Sequence, residues 1–166
     1  GTFYTTLYSW SPDSNLTKIT DAEGNIRRFS YDALGHRTMA EDLHSPSDTS
    51  YGIWLYSYDL AGNLKNYQNP NGNSISYTYD NINRVLSEDS NSTIGIDTVY
   101  TYDFCANGVG YFCRVVTAGV NDTYEYSKDG KVKKEIRTIG TSNFNTEYLL
   151  DYQGNVLEIR NPDNSF

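Results

Sequence analysis

Phe29-Ser30-Tyr31-Asp32-Ala33-Leu34-Gly35 is the stretch that decides the fold. Aromatic-x-aromatic has a period of two, so the rings of Phe29 and Tyr31 point to one face of a strand and Ser30 to the other. Asp32 opens a turn and Gly35 follows three residues later, the preference of a type I turn completed by a residue at positive φ. A strand running into such a turn is the first half of a β-hairpin.

Outward from this stretch the pattern recurs. Tyr56-Ser57-Tyr58-Asp59 is followed by Gly62, Tyr77-Thr78-Tyr79-Asp80 by Asn83, and Tyr100-Thr101-Tyr102-Asp103 by a longer Gly-rich segment. Two degenerate copies come after: Tyr124-Glu125-Tyr126-Ser127, which keeps Gly130 but not the Asp, and Tyr148-Leu149-Leu150-Asp151. The second ring position falls at 31, 58, 79, 102, 126 and 150, spacings of 27, 21, 23, 24 and 24 residues. Regular self-similarity of this kind marks a repeat array, read here as about six copies over residues 1–166. Asn83 tolerates the left-handed region better than most residues, so it can stand in for Gly.

Second turns lie midway through most copies: Pro12-Asp13-Ser14-Asn15, Asp21-Ala22-Glu23-Gly24, Pro70-Asn71-Gly72-Asn73, Ala118-Gly119-Val120-Asn121 and Gly140-Thr141-Ser142. Asn161-Pro162-Asp163-Asn164 reads as one more. Short alternating segments between turns predict an all-β antiparallel meander of about twelve strands, and no segment has a helical period with caps. Residues 41–50 and 88–93 break the rhythm and read as longer surface loops.

The composition agrees. Sixteen tyrosines and an aromatic fraction of 14% supply buried area that the modest 37% hydrophobic content does not, and Tyr and Thr favour strands. A net charge of −8 disfavours binding to nucleic acid or to an anionic membrane face. No apolar run is long enough for a membrane-spanning helix, and residues 1–5 carry no basic and apolar leader. Gly1 and Phe166 both fall within apparent repeats, which reads as a segment of a longer array.

Residues 21–38, Asp21 to Thr38, follow the Rhs, or YD-repeat, consensus almost from end to end, and Tyr58-Asp59-Leu60-Ala61-Gly62-Asn63-Leu64 is a second close copy. The chain thus resembles the repeats of bacterial Rhs polymorphic toxins, insecticidal Tc toxins and the related teneurin cell-surface proteins. The resemblance implies a curved or spiralling sheet of hairpins, part of a hollow shell that in the bacterial toxins encloses a C-terminal toxin domain. It implies an exported or cell-surface protein of bacterial origin, with the remaining repeats and the enclosed domain as partners. Six copies are too few to close a shell, and nothing here matches the Asp-Pro-x-Gly core segment that ends the bacterial shells, so the resemblance transfers no catalytic residue.

Cys105 and Cys113 flank a Gly-rich segment and lie eight residues apart; a disulfide, free thiols and a metal pair are the alternatives, the last disfavoured because no third ligand is near in sequence. Family members that resemble this variant carry paired cysteines here. His36 occupies a turn position and is expected exposed, and neither His36 nor His44 has a neighbouring nucleophile. Glu41-Asp42 and Glu88-Asp89 read as solvated loop charges, and the repeated turn Asp residues as caps instead of a calcium site. The expectation is therefore a non-enzymatic scaffold with no cofactor, whose signature residues are Tyr31, Asp32, Gly35, Tyr58, Asp59, Gly62, Tyr79, Asp80, Asn83, Tyr102, Asp103, Tyr126 and Gly130. The alternative is an adhesion module that stacks sugar rings on exposed tyrosines. The sequons at Asn15, Asn91 and Asn121 matter only in a eukaryotic secretory setting. Unpaired strand edges predict edge-to-edge association of the isolated segment.

Overall fold

The computed structural model describes residues 1, 3–92 and 94–162. Thr93, and Asp163 and Asn164 of the expected last turn, lie outside the described residues. Among those described, fourteen strands form and no helix does. They fall into two compact units, residues 1–83 with 90–94, and residues 84–89 with 95–166.

The first unit holds β1 (Leu7–Trp10), β2 (Leu16–Thr20), β3 (Ile26–Tyr31), β4 (Arg37–Glu41), β5 (Ile53–Tyr58), β6 (Leu64–Gln68) and β7 (Ser74–Tyr79). The second holds β8 (Val85–Ser90) except its last residue, β9 (Thr98–Tyr102), β10 (Phe112–Thr117), β11 (Val120–Tyr126), β12 (Val132–Ile139), β13 (Ser142–Leu150) and β14 (Val156–Arg160). Within each unit every strand is antiparallel to the next in sequence. Two strands per copy give β3–β14 for the six expected copies; β1 and β2 are the additional pair.

The alternating pattern produces one face of rings. In β5, Trp54, Tyr56 and Tyr58 are half-buried while Ile53, Leu55 and Ser57 are exposed. The rings cover one another: Tyr67 lies 5.7 Å from Trp54 and 5.8 Å from Tyr56, and Phe112 lies 5.4–6.0 Å from Tyr100, Tyr102 and Tyr124. The buried apolar side chains are few, namely Ile26, Ala40, Cys113 and Tyr126. Stability thus rests on ring-to-ring contact across strands and on the hydrogen-bonded ladder.

Three expectations are corrected. First, Glu41 is not a solvated loop charge. It ends β4 and is only 5% exposed, because its carboxylate accepts the Arg28 backbone N–H at 3.1 Å and faces His44 Nε2 at 3.1 Å. The segment after it continues the ladder: buried His44 pairs with Ile26 in both directions, at 2.7 and 2.9 Å, and stacks on Tyr51 at 3.7 Å. Asp42 accepts the Trp54 indole N–H at 2.7 Å. Second, Glu88 and Asp89 belong to strand β8, where the Tyr100 hydroxyl donates to Glu88 at 2.9 Å. Third, His36 is half-buried; its Nδ1 lies 3.0 Å from the Asp32 carboxylate and its ring stacks 4.8 Å from Tyr58.

Candidate functional site

The signature residues gather along one edge of each unit, where every odd-numbered strand turns into the next. Each regular turn is built alike. The opener's backbone N–H donates to the carbonyl four residues on, as from Asp32 to His36 at 2.9 Å and from Asp59 to Asn63 at 2.9 Å. The residue three on donates back to the opener's carbonyl, as from Gly35 to Asp32 and from Gly62 to Asp59, each at 3.1 Å. One carboxylate oxygen of Asp32 accepts the amides of Leu34 and His36, and Asp59 accepts those of Ala61 and Asn63, all at 2.9 Å. The closing position is left-handed at Gly35, Gly62 and Gly130, and also at Asn83, where φ is 64°. Asn63 side-chain and backbone N–H groups stabilise the Asp59 anion and hold it below the ordinary carboxylate range.

Ser127 keeps the job of the missing Asp. Its hydroxyl accepts the Lys131 amide at 3.1 Å while Gly130 donates to its carbonyl at 3.0 Å. The same geometry reveals a seventh copy. Ser11 accepts the Asn15 amide on its hydroxyl, and Ser14 stands at φ 62° in the Gly position. This turn lies on the signature edge, between β1 and β2, and is not a mid-repeat turn. Its sequence trace is Tyr8-Ser9-Trp10-Ser11, whose second ring precedes Tyr31 by 21 residues.

Asp103 departs from the pattern. It is itself left-handed, at φ 72°, and its carboxylate reaches backwards to Arg84, with Nη atoms at 3.1 and 2.7 Å, and accepts the Gly110 amide at 2.7 Å. Hydrogen bonding by Arg84, then by Gly110, holds this acid at about 2. The closing bond survives as Asp103 N–H to Tyr111 carbonyl at 3.1 Å, so four extra residues sit inside one turn. Cys105 and Cys113 are joined there in a disulfide with Cα atoms 5.4 Å apart. Gly108 lies against both sulfurs, where a Cβ would overlap them. The enlarged turn folds onto the next copy: Tyr126 N–H donates to the Ala106 carbonyl at 3.2 Å, Asn107 Nδ2 donates to the Tyr126 carbonyl at 2.8 Å, and Tyr111 stacks 4.7 Å from Tyr126.

Two repeating contacts tie one copy to another. The second signature ring donates its hydroxyl to the first residue after the preceding turn: Tyr31 to Leu16 at 2.8 Å, Tyr58 to Arg37 at 3.0 Å, Tyr79 to Leu64 at 2.8 Å, Tyr102 to Val85 at 2.9 Å and Tyr126 to Phe112 at 2.6 Å. In five turns the residue after the left-handed closing position meets the closing position of the next turn. Asn15 stands against Gly35, His36 against Gly62, and Asn63 Nδ2 donates to Asn83 Oδ1 at 2.8 Å. In the second unit Tyr111 fills the space beside Gly130, and Lys131 lies against Gly154.

The family described as RHS Repeat matches residues 10–42 and 58–94. Those two stretches are similar to RHS repeats. The first matched stretch starts at Trp10, the second ring of the seventh copy, and both stretches contain the turn geometry above. No curated protein matches the chain. Among solved structures, a crystal structure of TcdB2-TccC3 aligns with a TM-score of 0.73 at 19% identity, over 98% of this chain and 10% of that one. The Photorhabdus luminescens Tc holotoxin pore aligns with a TM-score of 0.75 at 21% identity, over 98% and 9%. At that identity the likeness is one of fold, and the chain spans about a tenth of the length of those chains. The chain is therefore an all-β array in the fold of a stretch of those much longer proteins.

Proposed function

We propose that this chain is a passive wall segment of a larger exported toxin or surface protein, and that the complete wall encloses a toxin domain of the parent chain. The observation that carries this reading is the repeated bond from a signature tyrosine hydroxyl to the preceding copy's backbone. A polar ring edge spent on a main-chain carbonyl is set for joining copies and not for meeting a sugar, so the wall reading is favoured over the adhesion reading. The RHS match and the shared fold support the same view.

The outer edge of β1 presents Leu7, Tyr8 and Trp10 about three-fifths exposed, which supports strand-to-strand association at that edge. The experiment is limited proteolysis of the whole parent protein. Protection of a C-terminal domain, lost when the array is opened by substitutions at Tyr31, Tyr58 and Tyr79, is the expected result. A parent gene with no further repeats and no downstream domain overturns the proposal.

A further inference from the structure

On the ring face of β11–β13 one acid, among the described residues, has no ion-pair partner, although Arg137 lies near enough to feel its charge. Register places Asp122 and Phe144 on either side of Arg137, and Tyr124 and Thr146 on either side of Glu135. Asp122 and Arg137 satisfy each other through two hydrogen bonds, at 2.9 and 2.8 Å. Glu135 receives only the Tyr148 hydroxyl on Oε1, at 3.2 Å, and among the described residues no Lys, Arg or His forms an ion pair with it. Burial first, and then nearby charge that includes Glu135, pushes the hydroxyls of Tyr124, Tyr126 and Tyr148 up, so they remain neutral donors. A groove of about 270 Å³ opens over Asp122, Tyr124, Glu135, Arg137, Phe144 and Thr146.

We propose that this groove binds an alkylammonium group, with Glu135 as counter-ion and the rings of Tyr124 and Phe144 as its walls. A cation is attracted both by a carboxylate and by the faces of aromatic rings, and most strongly where water is partly excluded. Glu135 offers one unoccupied oxygen, which suits the point charge of an ammonium better than the two-pronged fork of a guanidinium. A divalent metal would need several oxygen ligands, and the Asp122 oxygens are taken by Arg137. An anionic ligand meets the Glu135 carboxylate, while the Arg137 guanidinium is already engaged by two hydrogen bonds to Asp122. The site goes beyond the wall reading and does not depend on it.

The test is an NMR titration of the 166-residue chain with tetramethylammonium chloride and, in a parallel arm, with Nα-acetyl-lysine methylamide, which distinguishes a small quaternary amine from a lysine side chain. Sodium chloride at matched ionic strength and tert-butanol, a neutral analogue, serve as references. Saturable shifts of the Tyr124, Phe144 and Tyr148 ring signals are expected in at least one arm. Glu135→Gln, which keeps the side chain's shape, is expected to weaken binding about tenfold, and Tyr124→Leu about threefold or more. Circular dichroism checks that each variant keeps the fold, and the Tyr124→Leu arm stands if Glu135→Gln does not. No saturable shift in either arm, an equal response to tert-butanol, or undiminished binding in the folded variants overturns the proposal.

Discussion

The hydroxyl of Tyr126 donates to the backbone carbonyl of Phe112 at 2.6 Å, from the last residue of β11 to the first residue of β10. The bond joins the signature ring of one copy to the residue that leaves the preceding copy's turn. Four other signature tyrosines make the same bond. Tyr126→Phe keeps the ring and removes only this donor, so it should lower unfolding free energy by about 1 kcal/mol. Urea titration followed by circular dichroism measures it, and an unchanged midpoint would show that the hydroxyl is not a joint.

Leu150 occupies the same position at the end of β13, after a register shift at Leu149 and Leu150 like those before Tyr31, Tyr58 and Tyr126. It has no hydroxyl to offer. Leu150→Tyr should supply the missing bond, to the carbonyl of Val132, and raise stability by about 0.5–1 kcal/mol. A crystal structure of the variant with the hydroxyl turned to solvent would refute the positional equivalence.

Gly24 and Gly130 are both left-handed, at φ 84° and 79°, but a Cβ at Gly24 meets open space whereas one at Gly130 overlaps the Tyr111 ring. Gly24→Ala should cost about 1–2 kcal/mol from backbone strain alone. Gly130→Ala should cost about 1 kcal/mol more, since Tyr111 must leave its stack on Tyr126. Equal losses in thermal unfolding would mean that the enlarged turn gains nothing from resting on its neighbour.

Asp103 is held at about 2 in the folded chain, against an ordinary value of 3.8, by Arg84 and the Gly110 amide. A depressed folded value means that the stabilisation is fully present above the ordinary value and is lost as pH falls through the folded one. The melting temperature should therefore drop as pH is lowered from about 4 to about 2. Asp103→Asn should flatten that part of the profile. The direction is shared by Asp21, Asp59 and Asp151, so some slope persists in the variant; an identical profile would exclude a contribution from Asp103.

The disulfide between Cys105 and Cys113 closes a short loop, so replacing both residues by Ser should cost roughly 2–3 kcal/mol. Cys113 is 4% exposed and Gly108 covers both sulfurs. Alkylation after mild reductant should consequently be slow in the native protein and fast in urea, as read by mass spectrometry. Equally fast labelling in both would contradict the covered bridge.

The alternation of Tyr77, Thr78 and Tyr79, followed by Asp80 and a left-handed Asn83, was enough to place a strand, a ring face and a turn, because these depend on backbone periodicity and on local hydrogen bonds within five residues. The same local rule hid two things. Ser11 and Ser127 open turns as Asp does, yet a lone hydroxyl carries too weak a sequence signal to be read as an opener. Glu41 and Glu88 look like surface charges until neighbouring strands bring the Arg28 backbone to the first and the Tyr100 hydroxyl to the second.

What the sequence determined by itself is the repeat: its period, its turns and the side of the strand on which each ring lies, all consequences of covalent geometry and nearest-neighbour hydrogen bonding. What only the tertiary structure decided is how copies are joined. The tyrosine hydroxyl that reaches the preceding strand, Arg84 that reaches Asp103 and the Asn63 amide that reaches Asn83 span 14 to 21 residues. Such contacts depend on register, which is set when strands pair and not when residues follow one another in the chain.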